Sequence, residues 1–475
     1  MRITRKNQLF GMLAVFVTAL ASVSAAEPPK APVPSSPFIS VIYRYADTMI
    51  ERGRDTYGPM KTGLFLSALD RFTLTPLTNR PPAPHGIRES DRVASKDGPL
   101  VGASLHHDEN LLRLLYTLSE LSSKPKYREA ADAELKWFFS DAPSTNTYLR
   151  PWGERGFWDT LKDEPVINTD ADGRQGFFRP WLLWDRCFDL APQASQRLVI
   201  SLFGPQTNDF SVAPPRQAGF NIRIWASAYA RTKDQQFLKA IDTTLQQFEK
   251  GRSNGGPKED VSVAAAISLA IDCDGAAHHV PDPLASRLRS FAAREDEIFC
   301  GLPHNLADNL AGTAGFLTGA DKGAGKSTER HTPLWTAEEA RNTTAQIGMM
   351  CVSRYENTAR PGYRTLVHAA ADAYLNSMFS PDEDVWPATL GHAISLELAA
   401  WRWTARPVYL DRARLFGNLA LEKFFDKSPL PRASLKSNHY ETIAGTDTLA
   451  LALVELHLHI LHITAVRYPP NTIDR

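Results

Sequence analysis

The chain has 475 residues, 43% of them hydrophobic and 22% charged, an ordinary globular balance that excludes a disordered, collagen-like or coiled-coil protein. Its 53 basic and 53 acidic side chains cancel, so no global field recruits nucleic acid or an anionic membrane. The length suits one large helical architecture.

Arg2, Arg5 and Lys6 precede an apolar run over 9–23, and Ser24, Ala25 and Ala26 supply the small residues a signal peptidase needs. The run is short for a bilayer core and lacks basic residues at its far end, so 1–26 reads as a cleaved export signal. Its removal leaves the mature chain slightly acidic and places it in the periplasm or outside the cell. Residues 27–40, rich in proline, read as a flexible leader to a single toroid domain over 41–468. No later stretch suits a membrane; the apolar 449–463 segment is interrupted by Glu455, His457, His459 and His462. Cys187, Cys273, Cys300 and Cys351 match no zinc or CxxC pattern and read as buried thiols or one disulfide.

The chain repeats itself. Tyr127, Ala130, Ala131, Leu135 and Phe138 share a helix face, and the same offsets recur at Phe237, Ala240, Ile241, Leu245 and Phe248, then at Tyr363, Leu366, Val367, Ala371 and Tyr374. Pro125, Pro361 and Pro407 open such helices at a first turn, while Thr232 and Gln235 suggest a capping box for the Phe237 helix. An amphipathic segment precedes each: 111–121, 222–230 and 393–403. Further pairs are read around 181–203, 261–293 and 337–354, and strand signals are few. About six helical hairpins account for the mature chain, giving an all-α fold, an (α/α) toroid whose long connections converge on a mouth. An open superhelix is the alternative. The segment Ala320-Asp321-Lys322-Gly323-Ala324-Gly325-Lys326-Ser327 imitates a phosphate-binding loop but lacks the first glycine and a feeding strand, so it reads as a surface loop and no cofactor is implied.

Three long loops, 77–102, 148–178 and 312–336, are where function is expected. Polar clusters stand ahead of the apolar helix faces. Ser104-Leu105-His106-His107-Asp108-Glu109-Asn110 precedes the helix read from Leu111, with Asp108 also able to cap it. Trp152, Glu154, Trp158 and Asp159 combine indoles with acids, a mixture that suits sugar faces and hydroxyls. Arg179 can fork onto a carboxylate, whereas Trp181, Trp184 and Phe188 share a core face. Arg216 stands before one repeat helix, and Trp386-Pro387-Ala388-Thr389-Leu390-Gly391-His392 before another. Ser437-Asn438-His439-Tyr440-Glu441 leads into the final helix, read over 448–463, and offers a proton acceptor, a donor and a ligand binder.

With its hairpins and its His-His-Asp, Arg-Pro-Trp, Trp-Pro-x-x-x-Gly-His and Asn-His-Tyr-Glu segments, the sequence resembles the secreted all-helical toroids of the six-hairpin glycosidase and polysaccharide-lyase group, which includes pectate, alginate and heparinoid lyases. In those lyases a His or Asn with an Arg holds a uronate carboxylate, and a Tyr or His moves protons. The resemblance implies that His107 and Asn110 bind the acid, Arg216 neutralises it, and His439 or Tyr440 handles protons, with His106, Asp108, Trp152, Glu154, Trp158, Asp159, Arg179, Trp386, His392 and Glu441 around the sugar. Many such lyases add a β-sandwich after the toroid, and this chain ends soon after its last helix, so the likeness is to the single-domain members. The expected activity is therefore β-elimination on an acidic polysaccharide. The alternatives are a hydrolase drawing two carboxyls from Asp108, Glu154, Asp159 or Glu441, and a non-catalytic glycan-binding protein.

Overall fold

The computed structural model describes residues 35–94, 98–141, 153, 156–167, 181–203, 215–253, 263–306, 315–321, 328–337 and 342–464. The export signal and most of the proposed leader lie outside them. Fourteen α-helices are described: α1 (Pro37–Arg52), α2 (Leu105–Ser122), α3 (Pro125–Lys136), α4 (Trp184–Leu190), α5 (Pro192–Ser201), α6 (Pro215–Thr232), α7 (Gln235–Ser253), α8 (Val263–Ala277), α9 (Leu284–Cys300), α10 (Thr344–Thr358), α11 (Pro361–Leu375), α12 (Pro387–Thr404), α13 (Pro407–Lys423) and α14 (Thr446–Ile460). Helix α1 begins inside the stretch read as leader, with Ser36 capping it and proline in its first turn.

The pairs α2–α3, α4–α5, α6–α7, α8–α9, α10–α11 and α12–α13 are the hairpins read from the sequence, and α14 packs on α1. Even-numbered helices form an inner layer: α4 packs on α6, α6 on α8, α8 on α10, α10 on α12 and α12 on α14. Because α14 also packs on α2, and α3 on α4, the chain closes on itself as a toroid and not as an open superhelix. The layers explain the sequence pattern. Inner helices α2, α12 and α14 are buried on nearly every side, whereas α3, α7 and α11 bury one face built chiefly on the repeated stripe, with Tyr127, Ala131, Leu135, Phe237, Ile241, Leu245, Tyr363, Val367 and Ala371 all enclosed.

The return from inner to outer helix is a turn of one recurring kind. Ser123, Lys233, Ala359 and Ala405 all adopt positive φ just past an inner helix. The N–H groups of Lys233, Ala359 and Ala405 reach back to Tyr229, Tyr355 and Trp401 carbonyls at 2.7–2.8 Å. Proline or Gln235 then restarts the chain as the outer helix. At α7 the cap is Asp234, whose carboxylate accepts from Gln236 N at 3.0 Å; Thr232 belongs to α6 and bonds back to the Ala228 carbonyl, which corrects the capping box read at Thr232.

The outer-to-inner connections are the long ones, and the described strands lie there: β1 (Ala68–Leu69), β2 (Gly102–Ala103), β3 (Gly156–Asp159), β4 (Glu164–Ile167), β5 (Leu317–Asp321), β6 (Thr328–His331) and β7 (Tyr440–Glu441). They form antiparallel sets β1–β7, β2–β3–β4 and β5–β6. These are more strands than the sequence suggested, because strands of two to five residues are too short to show alternation. The phosphate-loop imitation thus begins on a strand, β5, and its 322–327 portion lies outside the described residues. All four cysteines are free thiols, three of them buried.

Inner helices α12 and α14 approach closely at Gly391, where an added Cβ would meet Leu449 N and Cα at 2.9 Å. Backbone cannot yield as a side chain can, so Gly391→Ala is expected to cost about 1–3 kcal/mol, read as a lower urea midpoint. At the other end of α14, Ser36 Oγ lies 2.9 Å from His457 Nδ1. Burial pushes this imidazole down to about 4. The unfolded chain, with His457 near its ordinary value of about 6.5, binds the extra proton, so this contribution is whole above about pH 6.5 and is lost as pH falls toward 4. His457→Phe should flatten that part of the stability–pH curve by roughly 2 kcal/mol, measured by urea unfolding at pH 7 and pH 5.

Candidate functional site

Three inner-helix N-termini meet at one place. The first turn of α2 packs on α14 and on the Thr442–Ala444 turn that links β7 to α14. Asn110 Nδ2 donates to Thr448 Oγ1 at 2.9 Å, and Arg113 donates to Asn110 Oδ1 at 2.7 Å, which fixes the amide orientation. Gly391 packs on Thr448 and Leu449, and Gly445 on Ala388, so His392 arrives from α12 beside the same end of α14. His106 and His107 stand edge to face with ring centroids 5.5 Å apart. The openings of α2, α12 and α14 thus lie together, with His106, His107, Asn110 and His392 on the first two turns of α2 and α12, and α2 packs on the Thr442–Ala444 turn that follows His439 and Glu441.

The helices start earlier than their apolar faces. His106 to Asn110, Arg216 and His392 lie inside the first two turns of α2, α6 and α12, not ahead of them. These opening turns carry polar side chains, most of them buried, and hydrophobic periodicity therefore misses them.

Beside α14, β7 is pinned by pairing with β1, Ala68 opposite Glu441 and Leu69 opposite Tyr440. Successive side chains of a strand point to opposite sides, and this separates residues that stand together in the sequence. His439 and Glu441 share one side: His439 Nε2 lies 2.7 Å from Glu441 Oε2. There Arg92, from the 77–102 loop, donates from Nε to Glu441 Oε1 and from Nη2 to Oε2, each at 2.8 Å. Burial would raise the Glu441 carboxyl, but bonds from His439 and Arg92 and the guanidinium charge outweigh it and hold the group below the usual range. Sequence reading missed Arg92, whose neighbourhood in the chain carries no motif.

Tyr440 points the other way and is 0% exposed. Its hydroxyl lies 3.0 Å from that of Tyr45, which donates to Asp447 Oδ1 at 2.5 Å. Burial first, then the Asp447 and Asp108 charges, push the Tyr440 phenol far up, so it stays neutral and enclosed. Asp108 joins this interior group. Burial, with Glu134 and Asp447 nearby, raises its carboxyl well above the ordinary range despite Arg54. Glu134, which accepts from Phe65 N at 3.0 Å, is pushed up to about 8, chiefly by burial. Asp108 does not cap α2 by a side-chain bond, and both its carboxyl oxygens are enclosed.

The other sequence candidates disperse. Trp158 is 0% exposed, packed edge-on against Trp137 at 5.0 Å, so it offers no ring face to a sugar. Asp159 accepts from Leu161 N and Lys162 N, closing the β3–β4 turn. Trp386 donates to the His85 carbonyl at 2.8 Å and ties the 77–102 loop to the start of α12. Arg216 donates to Asn342 Oδ1 at 3.1 Å, between the starts of α6 and α10 and several inner helices round from α14. Trp152, Glu154 and Arg179 lie outside the described residues.

Arg71 ties the 424–438 segment together. It is fully buried and bonds the carbonyls of Leu430 and Phe424, the Asp426 carboxylate and Asn438 Oδ1, the residue just before His439.

Residues 95–198, from the loop before α2 through most of α5, match the sequence family described as periplasmic pectate lyase. Among solved structures, the chain is similar to a D-mannose isomerase (9% identity, 88% of this chain and 97% of the other, TM-score 0.47). It is also similar to an α-mannanase of glycoside hydrolase family 76 from Bacteroides thetaiotaomicron (10%, 92% and 99%, TM-score 0.45). A polysaccharide lyase is matched at 12% identity over 88% of this chain and 53% of the other, with TM-score 0.40. The toroid itself follows from the helix order and closure of this chain. Among the described residues, no helix is long and apolar enough to cross a membrane.

Proposed function

We propose that this is an exported, periplasmic or secreted polysaccharide lyase that cleaves a uronate-containing glycan by β-elimination. The observation that carries this reading is that the lyase-family match spans His106, His107 and Asn110, on a helix that packs against the start of α14 and the Thr442–Ala444 turn after the His439–Glu441 segment.

Elimination requires a uronate carboxylate to be neutralised so that the adjacent C5–H becomes acidic. Asn110 and His107 supply donors for that group; Arg216, held by Asn342 at the starts of α6 and α10, is not placed beside them. His439, with Nδ1 unbonded among the described residues, takes the C5 proton. The electrons of the C5–H bond form the C4–C5 double bond as the C4–O bond breaks, and the leaving oxygen gains a proton from an imidazolium. Tyr440 is enclosed and has no part in this scheme. Hydrolysis asks instead for two carboxyls astride the bond; Asp108 is fully buried with its carboxyl raised by that burial, and Glu441 is engaged by Arg92.

Incubation with a panel of uronate polymers should raise near-ultraviolet absorbance from unsaturated uronate ends. No rise on any acidic polymer, with reducing ends released from a neutral one, would overturn the proposal in favour of a hydrolase.

A further inference from the structure

The strand that carries His439 also carries its partner, and the 77–102 loop folds over to hold that partner in place. We infer that Glu441, clamped by Arg92, is a positioning residue that keeps the His439 proton on Nε2 and leaves Nδ1 as the proton-accepting atom. The inference deepens the lyase reading and rests on it for the identity of the reaction.

The argument runs through the atoms. Glu441 is buried and ionised, so it can only accept, and its 2.7 Å contact with His439 Nε2 requires the hydrogen to sit on that nitrogen. A neutral imidazole with Nε2–H has its lone pair on Nδ1. Arg92 Nη2 lies 3.5 Å from the same nitrogen, too long to compete with the shorter bond.

Glu441 is itself immobile. Arg92 forks onto both carboxylate oxygens, and its Nη1 is taken by the Pro81 carbonyl at 2.7 Å and by Glu89 at 3.2 Å. Glu89 in turn accepts from Arg80 Nε at 2.8 Å. The charged groups about the imidazole are therefore Glu441 on its own strand and Arg92 and Glu89 on the packed loop. The backbone is fixed as well: Ala433 N donates to the His439 carbonyl at 2.7 Å, and Glu441 pairs with Ala68. A carboxylate behind a histidine orients the ring and stabilises the imidazolium that forms when the other nitrogen takes a proton.

The test is made on the full chain. Proton NMR of the wild type should show a strongly downfield, slowly exchanging imidazole N–H from the His439–Glu441 bond. In Glu441→Gln that resonance should disappear from the downfield region, and kcat on the cleaved uronate polymer should fall roughly 10- to 100-fold with KM within about 3-fold. Arg92→Lys, which keeps the charge but loses the fork, should weaken the resonance and lower kcat less than Glu441→Gln does. Should Glu441→Gln not fold, Glu441→Asp, which withdraws the carboxylate by one methylene, gives the same readouts. A folded Glu441 variant that keeps both the downfield proton and kcat overturns the inference. A chain that shows the proton and loses it on substitution, yet cleaves no acidic glycan, rejects the lyase reading and leaves the positioning role standing.

Discussion

Replacing Arg354 by methionine should lower the free energy of unfolding by about 3–5 kcal/mol, among the largest losses open to a single substitution in this fold. Arg354, on α10, is buried and forks onto Asp296 of α9, Nε to Oδ1 at 2.9 Å and Nη2 to Oδ2 at 2.7 Å, while Nη1 reaches Asp274 of α8 at 3.1 Å. One guanidinium thus ties two inner helices and one outer helix. Asp296 also accepts the Tyr363 hydroxyl from α11 at 2.7 Å. The expected loss does not measure what the pair adds over an apolar core. It arises because methionine leaves the buried Asp296 with only the longer Arg360 Nε contact at 3.5 Å and the Tyr363 hydroxyl, and an undercompensated buried charge is costly. Adding Asp296→Leu to the same variant removes that charge and should recover part of the loss. Urea unfolding of wild type, single and double variants decides the matter. A single variant within about 1 kcal/mol of wild type would mean that the network is solvated in solution.

His439→Gln should reduce kcat by roughly 10²- to 10⁴-fold while KM moves little, the signature of a lost proton acceptor. Glutamine is chosen because its amide N–H can replace the Nε2–H toward Glu441, so the buried pair of Glu441 with Arg92 keeps its neighbour. His439 is 4% exposed, and truncation to alanine would open a cavity against that ion pair and confuse packing with chemistry. The unfolding midpoint of His439→Gln should therefore stay near that of the wild type. Retained kcat would assign the proton transfer to another group, His107 first among the imidazoles gathered there.

The outer helices were legible in the sequence because each buries one stripe: the Tyr127, Phe237 and Tyr363 offsets all fall on the inward face of α3, α7 and α11. Proline at the first turn located three of the helix starts. Inner helices were read short, since His106 to Asn110, Arg216 and His392 are polar for reasons of position and break the apolar period although they are helical. Closure was legible only as an expectation; α14 meeting α1 and α2 joins chain ends that no local pattern relates. At the site, the Ser437–Glu441 segment was found from its composition, but the opposite aims of His439 and Tyr440 needed the β1–β7 register. Arg92 was invisible for a similar reason, being placed by a loop anchored through Trp386 to His85 and through Asp384 to His85 N and Lys436 N.

The elimination chemistry is tested most directly by the mass of the products. When a defined uronate oligosaccharide is cut, the fragment masses measured by mass spectrometry should sum to that of the starting chain, with no oxygen taken from labelled water. Fragments that together exceed it by one water, with the label incorporated at the new end, would contradict the account and identify a hydrolase.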